Sequence, residues 1–161
     1  MKVFIGKFPK NINKERKIRI HIDEYDAWNA DETLAMIIAP VLKKLKEIQH
    51  GAPFVDDEDV PAGLGIRRSE TKEETDNPKH THDNHFRRWE WVLNEMIWTF
   101  EEIATGKDHS RFYDHSGVDS TKDIETQIRQ IKVDEEGLKA YYARIENGLR
   151  LFGKYYLNLW D

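Results

Sequence analysis

The apolar residues of this chain follow two different periods. In residues 17–23, Ile18, Ile20 and Ile22 alternate with Arg19 and His21, the period-two pattern of a half-buried strand. Residues 1–6 read as another strand. The connector between them holds Pro9 and two Asn, and an antiparallel hairpin is the simplest pairing. Two strands are marginal alone in water, so the hairpin is expected to pack on a helix.

Beyond residue 29 the period becomes helical. Leu34, Ile37, Ile38, Val41, Leu42, Leu45 and Ile48 predict a first helix, with Asn29 and Glu32 at capping-box spacing, a kink at Pro40 and Gly51 placed to end it. Phe86, Trp89, Leu93, Met96, Ile97, Phe100 and Ile103 form the stripe of a second helix, capped by Asp83 or Asn84 and ended by Gly106. Trp91 and Trp98 lie off that stripe, among Arg87, Arg88, Asn94, Glu95 and Glu102, so this helix carries a second, aromatic and charged face. A third helix is expected from about residue 135 to 159, after Asp134, on Leu138, Tyr142, Ile145, Leu149, Phe152, Tyr156 and Leu159. Within it Gly148 and Gly153 each cost about 1 kcal/mol against Ala, which predicts close approach of another backbone.

Between these elements the pattern fades. Residues 51–84 show neither period, and residues 67–79 carry eight charges and no apolar anchor, the composition of a mobile loop. Residues 107–121 read as loop and contain Asp-His-Ser twice, at 108–110 and 114–116. Residues 122–133 fit a helix and a strand end equally well. The fold expected is a single α+β domain over residues 1–161, mostly helical. A short N-terminal β-hairpin packs on a three-helix core, with a long loop between helices one and two.

Composition narrows the chemistry. Eighteen aromatic residues are too many for a disordered chain, and the absence of cysteine excludes disulfide scaffolds, thiolate metal sites and a Cys nucleophile. A net charge of −5 makes a poor non-specific binder of nucleic acid. The longest apolar-rich run, residues 34–45, holds Pro40 and two lysines and is too short and too charged to span a membrane. The stretch MKVFIGKFPK has no apolar core of a secretion signal.

Three constellations carry possible chemistry. At the start of the second helix, His85, Arg87 and Arg88 stand where free N–H groups attract anions, and Arg67 and Arg68 precede them on the loop. Trp91 and Trp98 on the adjoining face offer stacking surfaces for a base. His80, His82, Asp83 and His85 fall within six residues and offer ligands for Zn or Mn, the alternative reading as a metal-dependent phosphohydrolase. Asp56, Asp57, Glu58 and Asp59 form an acidic run without EF-hand spacing, which reads first as a solvated loop. No P-loop, GxGxxG or GxSxG motif is present.

Four segments, WNADETLAMIIAPVLKKLK (28–46), HGAPFVDDEDVP (50–61), NHFRRWEWVLNEMIWTFEEI (84–103) and ARIENGLRLFGKYYLNLWD (143–161), together resemble a family of uncharacterised proteins encoded by tailed bacteriophages. The resemblance implies a viral accessory protein acting in the host bacterial cytoplasm, and it implies no reaction. The expectation is therefore non-catalytic binding of a small anionic nucleotide, with possible sequestration of a host-defence signal and no cofactor. Arg87 and Arg88 take phosphate, Trp91 or Trp98 stacks the base, and His85 tunes the site. A protein-binding inhibitor or minor virion component that uses the acidic loop is the other reading. Burial of Trp91 and Trp98 favours a homo-oligomer.

Overall fold

A computed structural model describes residues 1–11, 13–66, 82–106 and 108–160, without the side chains at 82 and 83. The architecture is α+β and mostly helical, with two small antiparallel sheets of two strands each.

Strands β1 (Lys2–Ile5) and β2 (Ile18–His21) pair antiparallel, in the register Lys2 to His21, Val3 to Ile20, Phe4 to Arg19 and Ile5 to Ile18. Residues directly opposite share a face. One face of this ribbon therefore carries Val3, Ile5, Ile18 and Ile20, and the other Lys2, Phe4, Arg19 and His21. The alternation predicted half burial against a helix. Instead all eight residues are exposed. The period-two signal reported the pleat correctly, but no described element covers either face.

A short helix α1 (Glu24–Trp28) leads through Asn29 into α2 (Ala30–Ile48). Asn29 holds the N-cap position, although its side chain makes no capping hydrogen bond; its amide reaches Glu32 at 3.5 Å instead. The helix runs on through Pro40 and ends before Gly51, with Gln49 as its C-cap. Helix α3 (His82–Ala104) is the longest element. Gly106, at φ 78°, turns the chain out of it, a left-handed conformation suited to glycine. Helix α4 (Ile124–Gln130) and strand β4 (Lys132–Val133) divide the ambiguous stretch between them, and β4 pairs with β3 (Tyr113–Asp114). Asp123 caps α4 by accepting from Thr126 N (3.0 Å), and Asp134 caps α5 (Glu135–Tyr155) by accepting from Gly137 N (2.9 Å).

The buried cluster draws on α2, α3, α5 and the loop before residue 67. Trp89, Leu93, Met96, Ile97, Phe100 and Ile103 of α3 are buried as their spacing predicted. On α2 the contact surface is made of Ala35, Ala39 and Leu42, whereas Leu34, Val41 and Ile48 are exposed. Small residues let α2 approach α3 closely, and Lys46 then spans to Glu90 (3.0 Å) and Asn94 (2.8 Å). On α5 the buried ladder is Tyr141, Ile145, Gly148, Leu151 and Tyr155, one position away from the expected stripe. A Cβ on Gly148 would lie 1.9 Å from Thr99 Oγ1 and 3.1 Å from Glu95 O, so the α3 and α5 backbones meet there. Gly153 has nothing within 4 Å of such an atom. Among the described residues no helix is long and apolar enough to cross a membrane.

Candidate functional site

The described residues singled out in the sequence fall mainly in two places, and the structure adds a third. The first is the loop of residues 52–66, which folds over α3 and α5. Arg88 is turned into it. Its guanidinium pairs with Asp57 Oδ1 at 2.5 Å and also donates to the carbonyl of Val55, and the residue is 3% exposed. Helical spacing put Arg88 on a solvated face open to phosphate; the loop closes over that side of the helix and consumes the charge. His85 is part of the same clamp. Its Nε2 donates to Ala52 O at 2.8 Å, and its ring packs against Phe54 and Phe86 at centroid distances of 5.0 and 5.9 Å.

The acidic run is likewise internal. The Asp59 carboxylate is fully buried and receives Arg150 Nη1, Lys154 Nζ and the Tyr155 hydroxyl, each at 2.6 Å. Burial alone would raise its pKa, but these three donors outweigh it and hold the group below the usual carboxylate range. The carboxylates of Asp56, Glu58 and Asp59 converge to within 4.8 Å, the spacing a cation needs. Lys154 Nζ already stands among them, 2.7 Å from Asp56 and 3.1 Å from Glu58. The expectation of a solvated acidic loop therefore holds for Asp56 and Glu58 but fails for Asp59, which is an interior anchor of α5.

The second place is the outer stripe of α3. Arg87 is exposed, and Trp91, one turn on, is half-buried against the core. Trp98 lies two turns further, about 10 Å along the axis from Trp91. It is covered by its own chain: Tyr141 meets it edge-on at 5.8 Å, and the Arg144 guanidinium lies 3.8 Å over the ring while making a bidentate pair with Glu95 at 2.9 and 2.8 Å. Trp98 is thus half-buried, with Arg144 of its own chain stacked on its ring. Arg88 faces the covering loop, whereas Arg87 is exposed on the outer stripe. Arg67, Arg68, His80, the side chains of His82 and Asp83, and the expected mobility of 67–79 lie outside the described residues. Of the proposed metal set only the His85 side chain is described, and its Nε2 is committed to Ala52.

The two Asp-His-Ser triplets have a local explanation. Asp108 Oδ1 accepts from Ser110 N, and Asp114 Oδ1 from Ser116 N, both at 2.9 Å. Each triplet is an Asx turn, and each Asp pKa is held down first by hydrogen bonding from its Ser partner.

The third place was not anticipated. The β1–β2 ribbon lines an open groove of about 560 Å³, bordered by Lys2, Val3, Phe4, Ile18, Arg19, Ile20 and His21. The lining takes in Lys2, Phe4, Arg19 and His21 of one face and Val3, Ile18 and Ile20 of the other. The polar face sets Phe4 directly opposite Arg19 and Lys2 directly opposite His21, whose Nε2 is 2.9 Å from Asp23 Oδ1. Arg16 lies over the Phe8 ring at 4.3 Å and donates to Gly6 O at 2.5 Å, which keeps a further cation beside the strand ends. A signal for this site exists in the sequence. The first 22 residues hold seven of the 25 Lys and Arg but one of the 30 Asp and Glu. The whole-chain charge of −5 conceals that asymmetry. Comparison with protein families, curated proteins and solved structures finds no match to this chain.

Proposed function

We propose that this chain is a non-catalytic binding protein, an accessory protein of the tailed-phage type its segments resemble, and that it takes a nucleotide-type anion on the polar face of the β1–β2 ribbon. One observation carries this reading. Phe4, 54% exposed, stands opposite Arg19 and is flanked by the Lys2–His21 pair, on an exposed face within the most cationic segment of an acidic chain. An aromatic platform beside cations is the arrangement that stacks a base and holds its phosphate. Stacking contributes about 1–3 kcal/mol per base, and the cations add selectivity for the charged ligand. Reaction chemistry has no comparable support. The buried charged groups Arg88 and Asp59 are satisfied by partners within the fold and have no reach toward a substrate.

Isothermal titration with mononucleotides, cyclic dinucleotides, a short single-stranded oligonucleotide and inorganic phosphate tests the reading. Nucleotide binding in the range of about 10–100 μM is expected, in proportion to one stacked base and two or three charged contacts. Phe4→Ala is expected to weaken nucleotides tenfold or more and leave phosphate unchanged; Arg19→Ala weakens both. The oligonucleotide arm separates a free nucleotide from a strand as the natural source of the same chemistry. Absence of binding below about 1 mM, or nucleotide affinity equal to the parent's in both variants, overturns the proposal.

A second reading places the nucleotide on α3, because Arg87 is exposed one turn before Trp91. Arg87→Ala tests it in the same titration. Loss of binding there, with Phe4→Ala unaffected, moves the site to α3.

A further inference from the structure

We infer that the ligand of the β1–β2 ribbon is a single-stranded nucleic acid, not a free nucleotide. The inference rests on the reading of the polar face given above and names the ligand of that face. The pairing continues one residue past β1, where Gly6 N donates to Lys17 O at 2.8 Å. A Cβ on Gly6 would lie 3.5 Å from Cε1 of Phe4 and 3.6 Å from Cβ of Lys17. Gly6 and Phe4 share a face by alternation, so Lys17 stands on that face too. Lys17, Arg19 and Lys2 (opposite His21) therefore occupy three successive levels of one face, about 7 Å apart. Phe4 holds the middle level, across from Arg19.

Cations on both sides of an aromatic platform select the ligand. A mononucleotide stacked on Phe4 carries its charge at one end and meets one side of this ladder. A base inside a strand has a phosphate on each side and meets both. The arrangement also repeats. Beyond Gly6 the chain places Phe8, 78% exposed, with the Arg16 guanidinium 4.3 Å over its ring. Four residues of chain separate Phe4 from Phe8 by at most about 14 Å, farther than a single base extends. Lys7, Lys10 and Lys14 are exposed along the same connector, and Glu15 is the one acidic residue of the first 22. Successive aromatic platforms within a cationic track are how proteins hold single strands without reading their sequence. A duplex keeps its bases stacked on one another and offers none to Phe4 or Phe8. The net negative charge of the remaining chain repels phosphate elsewhere and confines the strand to the ribbon.

Titration with thymidine monophosphate, a cyclic dinucleotide, a twelve-nucleotide oligothymidylate and its duplex with oligoadenylate tests this, and the matching oligouridylate assigns the strand to DNA or RNA. The single strand is expected to bind at least tenfold tighter than the mononucleotide, because a second stacked base alone is worth about fivefold or more. Its affinity is expected to fall with salt at a log–log slope of about −2 to −3.5, three to five phosphates at about −0.7 each. Phe8→Ala should weaken the strand about fivefold or more and leave the mononucleotide unchanged. Lys10→Ala with Lys14→Ala should flatten the slope by about 1.4. All three positions are exposed on the connector, and unchanged circular dichroism checks that the fold is kept. A strand bound no tighter than the mononucleotide or the cyclic dinucleotide, a duplex bound as tightly as the strand, or a strand affinity indifferent to Phe8→Ala overturns the inference. Mononucleotide binding that is weakened by Phe4→Ala would in each of those cases leave the reading of the face standing. Absence of binding by every one of these ligands removes that reading and the inference with it.

Discussion

Arg88 and Asp57 meet at 2.5 Å across the junction of α3 and the loop that covers it, with the Arg88 side chain 4% exposed and that of Asp57 49%. The pair is one-sided: the arginine is interior and the aspartate faces water. Removing the arginine leaves the Val55 carbonyl without its charged donor. Arg88→Ala is therefore expected to cost about 2–3 kcal/mol, the scale of hydrogen bonds to a charged group. Arg87→Ala, one residue earlier and exposed, is expected to stay within about 0.5 kcal/mol of the parent. Urea unfolding of the two variants checks the contrast, and equal stability would mean that the loop is not fastened by Arg88.

Gly148 and Gly153 differ in the same way. A Cβ at Gly148 meets Thr99 at 1.9 Å and the Glu95 carbonyl at 3.1 Å. Gly148→Ala is expected to destabilise by about 1–3 kcal/mol through overpacking, in spite of its better helix propensity. Gly153→Ala adds a methyl to open space and is expected to stabilise by about 0.5–1 kcal/mol. Thermal unfolding midpoints moving in opposite directions would bear this out.

The helices were legible because period 3.6 survives in any amphipathic segment. Which ladder is buried was not always legible. Helix α5 carries two apolar ladders that share Ile145, one through Tyr142 and Leu149, the other through Tyr141, Gly148 and Tyr155. The second is inside because Gly148 admits the α3 backbone and because Tyr155 and Lys154 reach Asp59. Neither reason is visible without the partner helix. Gly148 itself was readable as a close approach; Gly153 was not distinguishable from it. The inward turn of Arg88 depends on residues 55–66 folding back, a long-range event to which helical spacing is blind. The cationic ribbon was readable all along, but only from local charge, and whole-chain charge pointed away from it.

The Asp59 network gives the protein a defined acid response. The folded-state pKa of Asp59 lies below its unfolded value of about 3.9. The ionised group therefore adds stability above that value, and the contribution is lost as pH falls through the lower folded-state value. Asp59→Asn is expected to be less stable than the parent at pH 7, with the gap closing below about pH 4. Urea midpoints measured from pH 2 to 7 test it; a gap independent of pH would mean that Asp59 acts by shape alone.

Two tyrosines mark the same interior from the alkaline side. Burial, then the Asp59 carboxylate, pushes the Tyr155 hydroxyl up to about 12. Burial, then Glu102, does the same for Tyr141. For both, the neutral hydroxyl stabilises the fold below pH 10, and that contribution is lost as pH rises toward 12. Absorbance titration of the six tyrosines is expected to show two ionising last, and Tyr155→Phe should remove one of them.

The central claim is the location of the ligand, and chemical-shift mapping locates it without presuming affinity. A ¹⁵N-labelled sample titrated with the best-binding nucleotide is expected to shift the amides of residues 2–5 and 18–21 together, with those of Arg87, Trp91 and Trp98 unmoved. Shifts centred on residues 85–98, or none at millimolar nucleotide, would contradict the account.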